Sequence, residues 1–108
     1  MQMERFSVRH YIIKMNVISK KALIEGYEKY ADAKDSLEAW YHEVSKAEWN
    51  TPSNIKERYS SASFLKNNIV IFNIRGNKYR LVVKVAYKTK VVFIKWFGTH
   101  SKYDKKKF

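Results

Sequence analysis

Three observations predict an α+β fold for this chain of 108 residues, with an N-terminal helical hairpin packed on an antiparallel β-sheet. Apolar residues recur at helical spacing from Leu23 to Tyr59 and then at alternate positions from Phe64 onward. Gly76-Asn77 separates two alternating runs, a good signal for a two-residue hairpin turn. Helices followed by a meander of strands form a layered α+β domain, and this length buries one core.

Ser19 is placed to cap a first helix through KKALIEGYEKYA, whose Leu23, Tyr27, Tyr30 and Ala31 share one face. Asp32 is placed to cap a second, with Asp35 in its first turn and an apolar stripe of Leu37, Trp40, Tyr41, Val44 and Ala47. Asn50-Thr51-Pro52 ends that helix, and Thr51 with Pro52 starts a short third one through Ile55 and Tyr59. Aromatic stripes at this spacing are core.

Three strands follow, about 68–75, 78–87 and 90–97, joined at Gly76-Asn77 and, by a weaker signal, at Lys88-Thr89. These turns pair Ile74 with Tyr79, Phe72 with Leu81 and Val70 with Val83. They also pair Val85 with Val92, Val83 with Ile94 and Leu81 with Trp96. One sheet face is therefore apolar and carries the helices. The other presents Asn73, Arg75, Lys78, Arg80, Val82, Lys84, Phe93, Lys95 and Phe97, without an acid.

The charge is segregated. Residues 1–57 hold nine basic and nine acidic side chains, whereas residues 58–108 hold thirteen basic and one acidic, Asp104, so the second half carries the whole net charge of +12. A solubilising surface would not require segregation; a polyanionic partner would benefit from it. The absence of cysteine excludes disulfides and thiolate metal sites and favours an intracellular setting. The charged start MQMERFSVRHYIIK is not a signal peptide, and no apolar run reaches the length of a membrane span.

Cations interleaved with aromatic rings suit RNA, whose phosphates pair with Arg and Lys while unstacked bases lie on rings. GTHSKYD leaves the last strand beside this face and displays His100, Lys102 and Tyr103, which a turn does not need. His100 is of the residue type that gives or takes a proton in catalysis, and Tyr103 stacks on a base or bonds a phosphate. Metal-dependent hydrolysis fits poorly, because the basic half has one carboxylate and hard cations want several oxygens. His42-Glu43 lacks the second histidine of a zinc helix and His10 carries no signal. Charge on a hairpin turn explains Arg75 and Lys78 as well as binding does, and Lys84 and Lys95 also serve to protect an exposed sheet face. Asp104 is expected to pair with a neighbouring lysine.

The segments MNVISKKAL, LEAWYHEVSKAEWNTPSNIKERYSSASFLKNN and VIFNIRGNKYRLVVKVAYKTKVVFIKWFGTHSKYDK together resemble the HigB family of toxins, in the RelE superfamily of bacterial type II toxin–antitoxin systems. AEW, FNIRGNKYRL and GTHSKYDK are the most specific parts. The resemblance implies a RelE-like microbial RNase fold with a first strand around residues 15–19. It implies a cytoplasmic mRNA interferase, an endoribonuclease that cuts mRNA on the ribosome without metal or cofactor and so inhibits translation. The implied partners are mRNA, the ribosome and a helix-turn-helix antitoxin of HigA type, with operator DNA met only through the antitoxin complex. It marks residues 15–106 as the toxin domain and residues 1–14 as an N-terminal extension or upstream start. Arg80 matches the strand arginine that meets the scissile phosphate, His100 lies where such toxins place catalytic basic residues, and Tyr103 resembles their C-terminal tyrosine at a shorter spacing. With Arg80, His100 and Tyr103 in the catalytic role, Arg75, Lys78, Lys84, Lys95, Phe97 and Lys102 are the expected RNA contacts. Two other readings of the same surface are a non-catalytic module that blocks translation by occupancy and a patch that seats an acidic antitoxin segment.

Overall fold

A computed structural model describes residues 14–106, so the expected extension, His10 included, lies outside the described residues apart from Lys14. The architecture is α+β, as expected. In chain order it comprises β1 (Asn16–Ile18), α1 (Lys21–Lys29), a 3₁₀ turn (Ala31–Ala33), α2 (Lys34–Ser45) and α3 (Pro52–Arg58). There follow β2 (Ser63–Leu65), a second 3₁₀ turn (Lys66–Asn68), β3 (Ile69–Ile74), β4 (Tyr79–Ala86), β5 (Val91–Thr99) and α4 (His100–Asp104). The sheet has five strands in the order β1-β5-β4-β3-β2 and is mixed, because β1 runs parallel to β5 while the other pairs are antiparallel. The helices thus follow a strand that occupies one edge, and the 3₁₀ turn separates α1 from α2, so they are not the plain N-terminal hairpin expected.

Two expected caps behave differently. Ser19 adopts a left-handed φ of 65° and leaves the capping position of α1 to Lys20, whose side chain makes no cap bond. Asp32 lies inside the 3₁₀ turn and its carboxylate reaches the sheet, while Ala33 precedes α2. A partner 46 residues away outcompetes the local helix end. At α3 the expectation holds: Pro52 opens the helix, and Asn54 Oδ1 accepts from the backbone N–H groups of Asn50 (2.8 Å) and Thr51 (3.1 Å).

The core lies between the helices and one sheet face. Phe72 is caged by Trp49, Trp40 and Tyr59, with ring centroids 6.0, 5.4 and 5.0 Å away. Such pairs add about 0.5–1.5 kcal/mol each beyond burial. Tyr59 in turn donates to Glu43, and burial first, then that carboxylate, raises its phenol pKa. Met15, just before β1, and Val17 within it are also buried, and the Met15 N–H donates to Ala47 O at 3.0 Å.

The β3–β4 register agrees with the expected pairs, Ile74 with Tyr79, Phe72 with Leu81 and Val70 with Val83. Left-handed φ values fall at Arg75 (54°) and Gly76 (65°), one residue earlier than the expected turn pair. Between β4 and β5, Val85–Val92 and Val83–Ile94 hold, but Trp96 faces Val82 and Phe97 faces Leu81. The difference is a β-bulge: Lys95 has no partner between the Val83–Ile94 and Val82–Trp96 pairs. An extra residue shifts every later side chain to the other face.

Candidate functional site: a cationic cluster at the end of the sheet

Arg80 projects from β4 on the face away from the core, half-buried, where its strand position pairs with Gly98. β5 continues to Thr99, whose Oγ1 accepts the Lys102 N–H at 3.2 Å and caps α4. GTHSKYD is therefore a strand end and a capped helical turn. That turn sets His100, Tyr103 and Asp104 three and four residues apart, on one side of α4. The His100 backbone N–H donates to Lys78 O at 3.1 Å and ties the turn to the β3–β4 loop.

These ties bring the expected catalytic residues together. Arg80 Nη2 lies 3.1 Å from His100 Nε2. A guanidinium only donates, so this contact calls for Nε2 as the acceptor, as it is in the tautomer with its proton on Nδ1. Asp104 Oδ1 lies 3.4 Å from the same Nε2, close enough to pair with the ring once it is protonated. Among the described residues Asp104 thus meets His100, not the neighbouring lysine expected for it. The Arg80 guanidinium sits 5.9 Å above the Tyr103 ring, and Tyr103 lies 6.2 Å from Trp96. Arg80 Nη1 is buried and has no hydrogen-bond acceptor among the described residues. A buried donor without an acceptor is costly, and an incoming anionic oxygen would satisfy it.

The expected binding residues divide. Lys84 and Lys95 are exposed, Lys84 on the Arg80 face and Lys95 in the bulge. Phe97 lies on the opposite face from the one expected, packed beside Tyr79 (5.3 Å) and Tyr30 (6.1 Å), because the bulge reverses the alternation. Trp96 takes its place on the outer face and folds across Gly98, where an added Cβ would stand 2.6 Å from the indole. Arg75 and Lys78 are drawn round the sheet end to Asp32. Arg75 Nη1 donates to the Asp32 backbone oxygen (2.8 Å), and Lys78 Nζ and the Tyr79 hydroxyl donate to its carboxylate (2.5 Å each). The Lys78 bond, then the Tyr79 bond, lowers the Asp32 pKa, and Asp32 raises those of Lys78 and Tyr79. Lys102 stands on the far side of α4, where its Nζ donates to the Tyr30 hydroxyl at 3.3 Å. That bond raises its pKa.

Sequence reasoning missed Trp96 and Asp104 as members of this neighbourhood. The adjacent pair Trp96-Phe97 was the available signal, since two large rings in succession cannot both lie on one face of a regular strand. No three His, Asp or Glu side chains among the described residues converge as metal ligands, and no helix among them is long and apolar enough to cross a membrane.

Comparison with known proteins identifies the family. A family described as HigB_toxin, RelE-like toxic component of a toxin-antitoxin system, matches residues 33–106. The mRNA interferase toxin HigB of Escherichia coli (strain K12) is 30% identical over 92 residues, 83% of this chain and 88% of that protein. The mRNA interferases HigB of Escherichia coli O157:H7 and Shigella flexneri show the same identity and coverage. The chain belongs to the HigB family of RelE-like toxins.

Proposed function

We propose that this chain is the toxin of a type II toxin–antitoxin pair and acts as an mRNA endonuclease, cutting on the ribosome without a metal. The observation that carries the reading is the Arg80–His100–Tyr103 cluster, in which a buried Arg80 N–H faces no acceptor among the described residues and the His100 ring stands beside it. The names of the similar proteins support the same activity.

A scissile phosphate draws the Arg80 guanidinium off His100 Nε2. That nitrogen then takes the proton of the ribose 2′-hydroxyl. The 2′-oxygen attacks phosphorus, Arg80 stabilises the charge that builds on the phosphorane, and the bond to the 5′-oxygen breaks. The Tyr103 hydroxyl returns a proton to the 5′-oxygen, and Asp104 pairs with the imidazolium left on His100. The products are a 2′,3′-cyclic phosphate and a 5′-hydroxyl. Lys84 and Lys95 hold neighbouring phosphates, while Arg75 and Lys78 serve the fold. Proton transfer, charge stabilisation and leaving-group protonation are all supplied by side chains, so no step calls for a metal.

The partners in this reading are mRNA, the ribosome and a HigA-type antitoxin, with operator DNA reached only through the toxin–antitoxin complex. The activity places the protein in the cytoplasm. Residues 15–106 form the toxin domain, and residues 1–14 are an extension that the activity does not need.

The test is to express the wild type and His100→Ala and map transcript ends. Cuts should appear with the wild type and fade roughly 10²–10⁴-fold in the variant, which should still sediment with ribosomes. Growth arrest in both without new transcript ends would establish occupancy in place of cleavage.

A further inference from the structure

β1 pairs with β5 only through Val91, Val92 and Phe93, so among the described strands nothing continues along that edge of β5 from Ile94 to Thr99. A groove of about 610 Å³ opens there, between α1 and α4. Lys29 of α1, Lys95 in the bulge, and Lys102, Lys105 and Lys106 at the chain's end surround it. Among the described residues Glu25 is the one acid lining it, and Lys21 already pairs with that carboxylate at 3.8 Å. The groove also has ring walls: Trp96, with Lys106 Nζ 5.7 Å from its centroid, and Tyr30, with Lys29 Nζ at 5.6 Å and Lys102 Nζ at 6.0 Å.

We propose that this lysine groove is a second RNA track, which holds a single-stranded stretch of the transcript flanking the cut while the scissile phosphate lies at Arg80 on the other side of α4. The proposal rests on the reading of this chain as an RNA-cleaving toxin. Two features favour RNA over an acidic protein segment. Lys29, Lys102 and Lys106 stand over aromatic rings, on which bases stack and carboxylates find no partner. The groove is also continuous with the cluster: α4 carries His100 toward Arg80 and Lys102 toward Tyr30, and Trp96 meets Tyr103 at 6.2 Å. The strand thus bends round a single helical turn, with phosphates held on both sides of it. The bulge makes this possible, because it puts an unpaired Lys95 at the groove and Trp96 on the outer face.

The test uses the full chain and its Lys29→Ala/Lys106→Ala double variant, neither lysine being part of the Arg80 cluster. Binding of a labelled oligouridylate is measured across potassium chloride concentrations. Removing two phosphate contacts should make the log–log slope shallower by about 1.4, at about 0.7 for each single-strand phosphate. Transcript ends should stay at the same positions, and the rate at saturating RNA should be unchanged, because the cluster is intact. Poly-glutamate is the second probe. An unchanged RNA slope would overturn the track, as would a loss of poly-glutamate binding with RNA binding intact, which would assign the groove to an acidic partner. If the slope falls in a protein whose wild type makes no cuts, the track stands and the enzyme reading fails. Cuts with an unchanged slope give the reverse.

Discussion

Arg75 and Arg80 belong to one hairpin and end in opposite surroundings. Arg75 donates to the Asp32 backbone and lies 3.8 Å from its carboxylate, beside a Lys78 held by the same acid. Among the described residues Arg80 has no carboxylate within ion-pair distance, touches the His100 ring, and leaves a buried N–H without an acceptor. Charge alone does not distinguish these two cations. What distinguishes them is whether the fold supplies an acceptor: a cation already satisfied serves the fold, and one left short is poised for a ligand's oxygen.

The sharpest way to break this contrast is to remove each arginine. Arg80→Ala should lower the cleavage rate about hundredfold, on the order of 3 kcal/mol of transition-state stabilisation. Its melting transition should remain cooperative. Arg75→Ala should leave the rate within about threefold, since the contacts it loses are exposed and such pairs contribute about 0–1 kcal/mol. Quantitative mapping of transcript ends from the two variants checks this. Equal losses would erase the distinction.

A smaller effect belongs to pH. The folded Asp32 carboxyl is held below its ordinary 3.8 by Lys78 and Tyr79, so its contribution to stability is fully present above that value. It disappears as pH falls through the lowered folded value. Asp32→Asn should therefore lower Tm near neutrality and show a flatter decline below pH about 4, read by thermal melts from pH 7 to 2. A wild type and variant with parallel acid limbs would show that this corner does not stabilise the fold through its charge.

The smallest effect is expected at the start of the chain. A protein of residues 15–108 should melt and cleave like the full chain, because the described sheet begins at Asn16 and Met15 supplies its own buried side chain and backbone bond. A collapse of the transition would make residues 1–14 part of the fold and bring the two ends of the sheet into the comparison.

Much of this was legible in residue order. Alternation on both sides of Gly76 specified the β3–β4 register, since a slip by one would bury Lys84 and Arg80 and expose Phe72. The charge imbalance and the GTHSKYD segment pointed to the cluster before its geometry was known. Other features were illegible for physical reasons. β1 and β2 are three residues each, too short for a period to show, and β2 is exposed at all three positions. Asp32 obeys every local rule for a helix cap and is claimed instead by a lysine 46 residues away. The bulge at Lys95 leaves no trace in residue type, because a cation is equally at home in a strand and in a bulge. Residue order alone therefore puts Phe97 on the outer face and Trp96 on the core face, the reverse of their places in the bulged strand.

The bulge makes the sides taken by the last rings of β5 depend on how Lys95 is accommodated and not on the rings themselves. Deleting Lys95 would leave a regular strand in which Trp96 still faces Val82 and Phe97 still faces Leu81. Keeping Lys95 but pairing it with Val82 would instead exchange the sides of Trp96 and Phe97. An indole would then face α1 at Gly26, where an added Cβ would already stand 2.6 Å from the phenyl ring now present. The close fit at Gly26 therefore disfavours the regular pairing, which ties a lysine on the rim of the sheet to a glycine in the helix opposite.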